Sequence, residues 1–176
     1  KNLNFSYDDV DYLRSLGIFS DDFLHYLSGF HFSGNIYAIP EGSVIFPKEP
    51  IVKVIAPIME AQLVETAILN IINHQCLIAT KASRVVYAAQ GNGVMEFGLR
   101  RAQGPDAGLY GARAAMIGGC VGTSNVLAGE MFDVPVLGTH AHSWIMSFKD
   151  EYTAFKEYAR LYPDSCTLLV DTYDTL

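Results

Sequence analysis

"VMEFGLRRAQGPDAGLYGARAAMIGGCVGTSNVL", residues 94–127, decides the fold. Two short apolar runs, 94–97 and 123–127, flank an Ala/Gly-rich stretch with helical character. Strand, loop, helix, strand is the order of a parallel α/β unit. The same order continues downstream. Runs at 134–137 and 168–170 bracket "SFKDEYTAFKEYARLY" (147–162), whose apolar residues recur at the spacing of an amphipathic helix. We therefore expect four strands, the last three at 123–127, 134–137 and 168–170.

Upstream of residue 90 the pattern differs. From Glu60 to about Ala89, Leu63, Ala67 and Ile71 form one stripe, with Val64, Ile68 and Ile72 beside it. So broad a stripe predicts a well-buried helix. Residues 34–58 carry short β-branched and aromatic runs punctuated by Pro40, Gly42, Pro47 and Pro50, the pattern of a small antiparallel sheet. Residues 7–29 are helical, with Ser6 and Ser20 as N-caps and Gly17 and Gly29 as stops. The change of pattern at "QGNG" (90–93) sets the expected domains: residues 1–90, a helix and small-sheet domain, and 91–176, the first part of an α/β barrel. The fold class is α/β.

Half of the 176 residues are hydrophobic, enough for a sizeable core. A net charge of −7 argues against nucleic acid and anionic membranes as partners, while leaving room for a local basic pocket. Cys76, Cys120 and Cys166 have no metal-ligand spacing and are expected as reduced thiols of a cytoplasmic protein. No apolar run is long enough to span a bilayer. The chain starts at Lys1 rather than Met and stops just after an apolar run that would need strand neighbours, so a piece of a longer protein is expected.

Polar residues follow each run. Arg100, Arg101 and Gln103 come after the first, Ser124 and Asn125 lie within the second, Thr139, His140 and His142 follow the third, and Asp171 ends the fourth. In a parallel barrel those strand ends share one face, and that face carries the active site. Guanidinium groups grip carboxylate or phosphate through paired bonds. A histidine oriented by an aspartate is ready as base or nucleophile. Neighbours on a strand face opposite ways, so one of Arg100 and Arg101 should point to the site. Two other readings stay open: a metal-dependent hydrolase or lyase built on His140-x-His142, and a non-catalytic dimerisation module. Cys120, Cys166 and His74 are expected to pack, and Asp8, Asp9, Asp21 and Asp22 to sit at solvated helix starts.

The ordered motifs "EFGLRRAQGPDAG", "TSNVLAG", "GTHAHSW" and "LLVDTYDT", with the "FSGNIYAIPEGSVIFPKEP" region before them, resemble nicotinate phosphoribosyltransferase along essentially the whole chain. The resemblance implies an N-terminal sheet-and-helix domain joined to an irregular α/β barrel, of type II phosphoribosyltransferase kind. It implies ATP-coupled transfer of phosphoribosyl from phosphoribosyl pyrophosphate to nicotinate, forming nicotinate mononucleotide in NAD salvage. Mg2+ would enter with phosphoribosyl pyrophosphate, and a homodimer would share the active site. His142, followed by Ser143 and Trp144, matches the histidine phosphorylated by ATP, and Asp171 the aspartate that supports it. His140 becomes a neighbour. Phe97 would lie against the pyridine ring, Arg100 would meet the anionic substrates, and Ser124, Asn125 and Thr139 would complete the substrate site. The related nicotinamide phosphoribosyltransferase has aspartate where Ser124 stands; Ser124 and Asn125 donate instead, which favours the acid over the amide. The missing barrel strands imply that the 176-residue piece is inactive alone.

Overall fold

The computed structural model describes residues 3–175. Contacts gather into two units, residues 1–73 and 74–176, with the division falling inside a long helix.

In the first unit, α1 (Tyr7–Ser15) and α2 (Asp21–Ser28) start as their caps dictate. The Ser6 hydroxyl accepts from the Asp9 N–H while the Asp9 carboxylate accepts from the Ser6 N–H, a reciprocal capping box; the Ser6 hydroxyl, donating at 2.6 Å, and then the Ser6 N–H hold the Asp9 carboxyl below its ordinary value. Asp9 thus does more than greet the helix dipole. Ser20 accepts from the Phe23 N–H in the same way. Gly17, at φ +66°, supplies the left-handed turn between the helices. Val10, Leu24 and Leu27 form the core, ringed by Phe5, Leu13, Phe23, Tyr26 and Leu63. β1 (Asn35–Ala38) and β2 (Val52–Ile55) pair antiparallel, Asn35 opposite Ile55 and Ala38 opposite Val52.

α3 (Ile58–Ala88) begins beside that sheet. Its buried Glu60 accepts from the Ser33 N–H at 2.7 Å and the Ser33 hydroxyl at 2.9 Å, tying the entry to β1 onto the helix. The Ser33 N–H outweighs the opposing effect of burial and, with the hydroxyl and His31, holds the carboxyl below its ordinary value of 4.5. A lowered folded-state value contributes stability above the unfolded value and loses it as pH falls through the folded value. Glu60→Gln in the full-length protein is therefore expected to lower Tm most at neutral pH, with the gap from wild type closing in acid. Equal gaps at all pH values, in thermal melts across the pH range, would refute the assignment.

In the second unit, β3 (Met95–Glu96) pairs parallel with β4 (Gly122–Thr123), Met95 opposite Gly122 and Glu96 opposite Thr123. Val136 forms a parallel bridge to Thr123 on the other side. α4 (Pro105–Ile117), the expected Ala/Gly-rich helix, crosses from β3 to β4. Its small residues allow close approach. Leu109 and Ala112 pack on Ala128, and Ala115 packs on Ala82 of α3. At Gly118 an added Cβ would lie 2.7 Å from both the Ala79 carbonyl oxygen and the Ala82 Cβ. Backbone cannot yield there, so Gly118→Ala should cost about 1–3 kcal/mol, read by denaturant unfolding of the full-length protein.

Several expectations require correction. Of the run 123–127 only Thr123 is strand, paired into β4 with Gly122 before it. Asn125 caps α5 (Val126–Phe132), so apolar Val126 and Leu127 lie on an exposed helix face rather than in a ladder. The run 168–170 joins no ladder among the described residues, and 134–137 contributes one bridge. Arg100 and Arg101 occupy a 3-10 turn, Leu99–Arg101, not a strand, and both are exposed, so strand alternation does not separate them. α3 is not well buried either: Leu69, Ile71, Leu77 and Val85 are exposed, and Glu60, Val64 and Ala82 are the buried residues along it. Its stripe is wider than the surface this length of chain lays against it. No described helix is long and apolar enough to cross a membrane.

Candidate active site

The parallel array fixes where the site residues emerge. β3, β4 and residue 136 run the same way side by side, so the residues after them leave at one edge of the array. Phe97 and the Leu99–Arg101 turn follow β3, and Ser124 and Asn125 follow β4. The third segment reaches Thr139, His140 and His142 within six residues of its bridge.

At β3 and β4, Phe97 is exposed and Ser124 half-buried, with the Ser124 N–H donating to the Glu96 carbonyl at 3.1 Å. The buried Asn125 uses its Oδ1 to cap α5, accepting from the Ala128 N–H at 3.2 Å. That leaves the carboxamide NH2 as its donor toward a ligand. Burial first, then the negative charge of Glu96, push the Cys120 thiol above its ordinary value, which keeps it a protonated packing group.

His142 opens α6 (His142–Met146), a helix the residue pattern did not announce. Its Nε2 lies 3.1 Å from the Asp171 Oδ1, with both side chains partly open to solvent. His140 has another job. Buried, its Nε2 accepts the Leu169 N–H at 3.1 Å, and its ring packs on Tyr158 and Phe155 of α7 (Glu151–Leu161). The two tethers run in step, 140 to 169 and 142 to 171. They hold the 169–171 segment where no ladder does. Trp144 secures α6 by donating its Nε1–H to the Ala154 carbonyl at 3.2 Å. Asp150 caps α7 through the Thr153 N–H, and its bonds to Thr153 keep its carboxyl low. The half-buried Thr139 donates its hydroxyl to the His140 carbonyl at 3.1 Å.

The expected residues thus form two groups. Phe97, Arg100, Ser124 and Asn125 follow β3 and β4; Thr139, His142 and Asp171 are joined through His140 and the 136 bridge. A His140–His142 clamp is not what the imidazoles make: His140 spends its Nε2 on a backbone amide. Among the described residues, no group of three or more His, Cys, Asp or Glu gathers in metal-holding distance. Glu96 escaped the sequence reading, though it directly precedes Phe97 and has Gly98 two residues on.

Comparison with known proteins supplies the context. Residues 1–73 match the nicotinate phosphoribosyltransferase N-terminal domain model, and residues 93–176 match the nicotinate phosphoribosyltransferase family model. The chain is 54% identical over 172 residues to a nicotinate phosphoribosyltransferase of Mycobacterium tuberculosis, covering 98% of this chain and 37% of that protein. It is 51% identical over 176 residues to the Bacillus subtilis protein of that name, 100% and 36% respectively. The crystal structure of human nicotinic acid phosphoribosyltransferase superposes with TM-score 0.87 at 31% identity, covering 98% of this chain and 44% of that one. A nicotinate-nucleotide pyrophosphorylase from Pyrococcus furiosus superposes with TM-score 0.76 at 34% identity, covering 81% and 37%. The chain spans little more than a third of the curated bacterial relatives it matches.

Proposed function

The chain belongs to the nicotinate phosphoribosyltransferase family, and from that premise we propose that its protein forms nicotinate mononucleotide from nicotinate and phosphoribosyl pyrophosphate, coupled to ATP hydrolysis. The observation that carries the reading is the His142–Asp171 pair, a partly open imidazole held by a carboxylate at 3.1 Å. The residues that follow β3 and β4, Phe97, Arg100, Ser124 and Asn125, have side chains that suit anionic, aromatic ligands.

The sugar chemistry is displacement at the anomeric carbon. The pyridine nitrogen forms the new C–N bond as the C–O bond to pyrophosphate breaks, and the departing oxygen keeps the electron pair. A centre with carbocation character needs positioning and charge balance more than a strong base. Phe97 offers an exposed ring face to the pyridine. Arg100 offers a guanidinium to the anionic groups. The Ser124 hydroxyl and the Asn125 NH2 donate to the nicotinate carboxylate. Mg2+ belongs to the substrate complex with pyrophosphate rather than to a resident site of this chain.

Energy coupling falls to His142. Asp171 accepts from one ring N–H, orients the imidazole and balances the positive charge that develops on the ring as the N–P bond forms. The other nitrogen attacks the terminal phosphorus of ATP, forming N–P as P–O to ADP breaks. Later hydrolysis of phosphohistidine changes substrate affinity without entering the glycosyl step. A cytoplasmic homodimer with a shared site completes the reading.

The test uses the full-length protein with nicotinate, phosphoribosyl pyrophosphate and ATP. Nicotinate mononucleotide, pyrophosphate and ADP should appear together. No mononucleotide under these conditions would end the proposal.

A further inference from the structure

We propose that Glu96 is a positioning residue that sets the two substrate-binding loops at a fixed separation, an inference that rests on the substrate reading above for its effect on catalysis. Its carboxylate is divided between them. One oxygen, Oε1, accepts the Gly98 N–H and so folds the chain into the turn that carries Arg100. The other, Oε2, accepts the Thr123 hydroxyl at 2.6 Å. Thr123 is fully buried, and its Oγ1 accepts the Asn125 N–H at 3.0 Å. The Glu96 carbonyl adds a third tie by accepting the Ser124 N–H at 3.1 Å. The backbone around Phe97 and Arg100 and the backbone of Ser124 and Asn125 are thus joined through one side chain.

The strands themselves are too short to do this. β3 and β4 pair through two residues each, which leaves the loops beyond them little ladder to lean on. Gly98 belongs to the device, because a Cβ there would stand 2.8 Å from the Glu96 Oε1. Bonds to an ionised acceptor are about twice as strong as neutral ones, so a carboxylate suits the task better than an amide. An amide also has one acceptor oxygen. In Glu96→Gln either Gly98 or Thr123 must lose its acceptor.

In the full-length protein, Glu96→Gln should raise the KM for nicotinate about tenfold or more and speed amide exchange at Gly98 and Asn125, with Tm lowered by about a few degrees. Thr123→Ser keeps the hydroxyl and should hold KM within about twofold of wild type. Thr123→Val, which also strips the Asn125 N–H of its acceptor, should raise KM at least as much as Glu96→Gln, and the double variant should be no worse than Thr123→Val alone. Additive losses would overturn the proposal, as would unchanged KM with unchanged exchange. Should wild-type protein make no nicotinate mononucleotide, the substrate reading falls, and exchange alone decides the clamp: faster exchange in Glu96→Gln supports it, equal exchange overturns it.

Discussion

Full-length protein carrying His142→Ala is expected to take up no acid-labile phosphate from terminally labelled ATP, and its mononucleotide synthesis should lose all stimulation by ATP. The uncoupled glycosyl step should survive, since the proposal has the imidazole accept phosphate and take no part at the anomeric carbon. Asp171→Asn probes the partner. It preserves shape but removes the charge that faces His142 at 3.1 Å. Groups that orient and charge-balance a reacting histidine typically contribute about 10- to 100-fold, so labelling should slow by that order rather than vanish. Labelling of His142→Ala at the wild-type level would assign the phosphoryl group to another residue.

The second large effect concerns choice of substrate. Ser124 is half-buried at the end of β4, its backbone fixed by the Glu96 carbonyl. Ser124→Asp places a carboxylate where the nicotinate carboxylate would receive a hydroxyl donor. Exchanging one hydrogen bond for a close repulsion shifts preference by roughly 2–4 kcal/mol, which is about 30- to 900-fold in relative kcat/KM. The shift should run from nicotinate toward nicotinamide, whose NH2 can donate to the new acceptor. Competition assays with both pyridines measure it. An unchanged ratio would remove Ser124 from the carboxylate site.

How much of this was legible beforehand varies with the physics that decides each element. The caps at Ser6 and Ser20, the stop at Gly29, and helices α3, α4 and α7 follow from local rules, and the residues carry those rules openly. The 123–127 run misled because Val126 and Leu127 have strand character, whereas Asn125 capping and Ala128 packing against α4 commit the chain to helix. Local composition does not reveal which of two rules prevails. Leu168 to Val170 misled for a related reason: apolar residues there are held by an imidazole and not by strand neighbours. Among site residues, His142 and Asp171 were paired by the family resemblance. Convergence of strand ends does not account for the pair, because 168–170 joins no ladder among the described residues and bonds from His140 and His142 hold that segment. Glu96 was missed because its role lies in bonds to Gly98 and Thr123, and Thr123 is 27 positions away. The exposed flank of α3 shows the limit of periodicity: it says which residues want cover, not what covers them.

The stepped pairing of His140 with Leu169 and His142 with Asp171 bears on how damage to this protein should be diagnosed. A His140 lesion is expected to release the 169–171 segment that carries the carboxylate, so turnover would drop as though a chemical group had been deleted. A screen scored by activity alone would file both imidazoles under the same heading. Only the His140 lesion would leave the ring proposed to receive phosphate untouched, and slow, incomplete phosphorylation of His142 would be its mark.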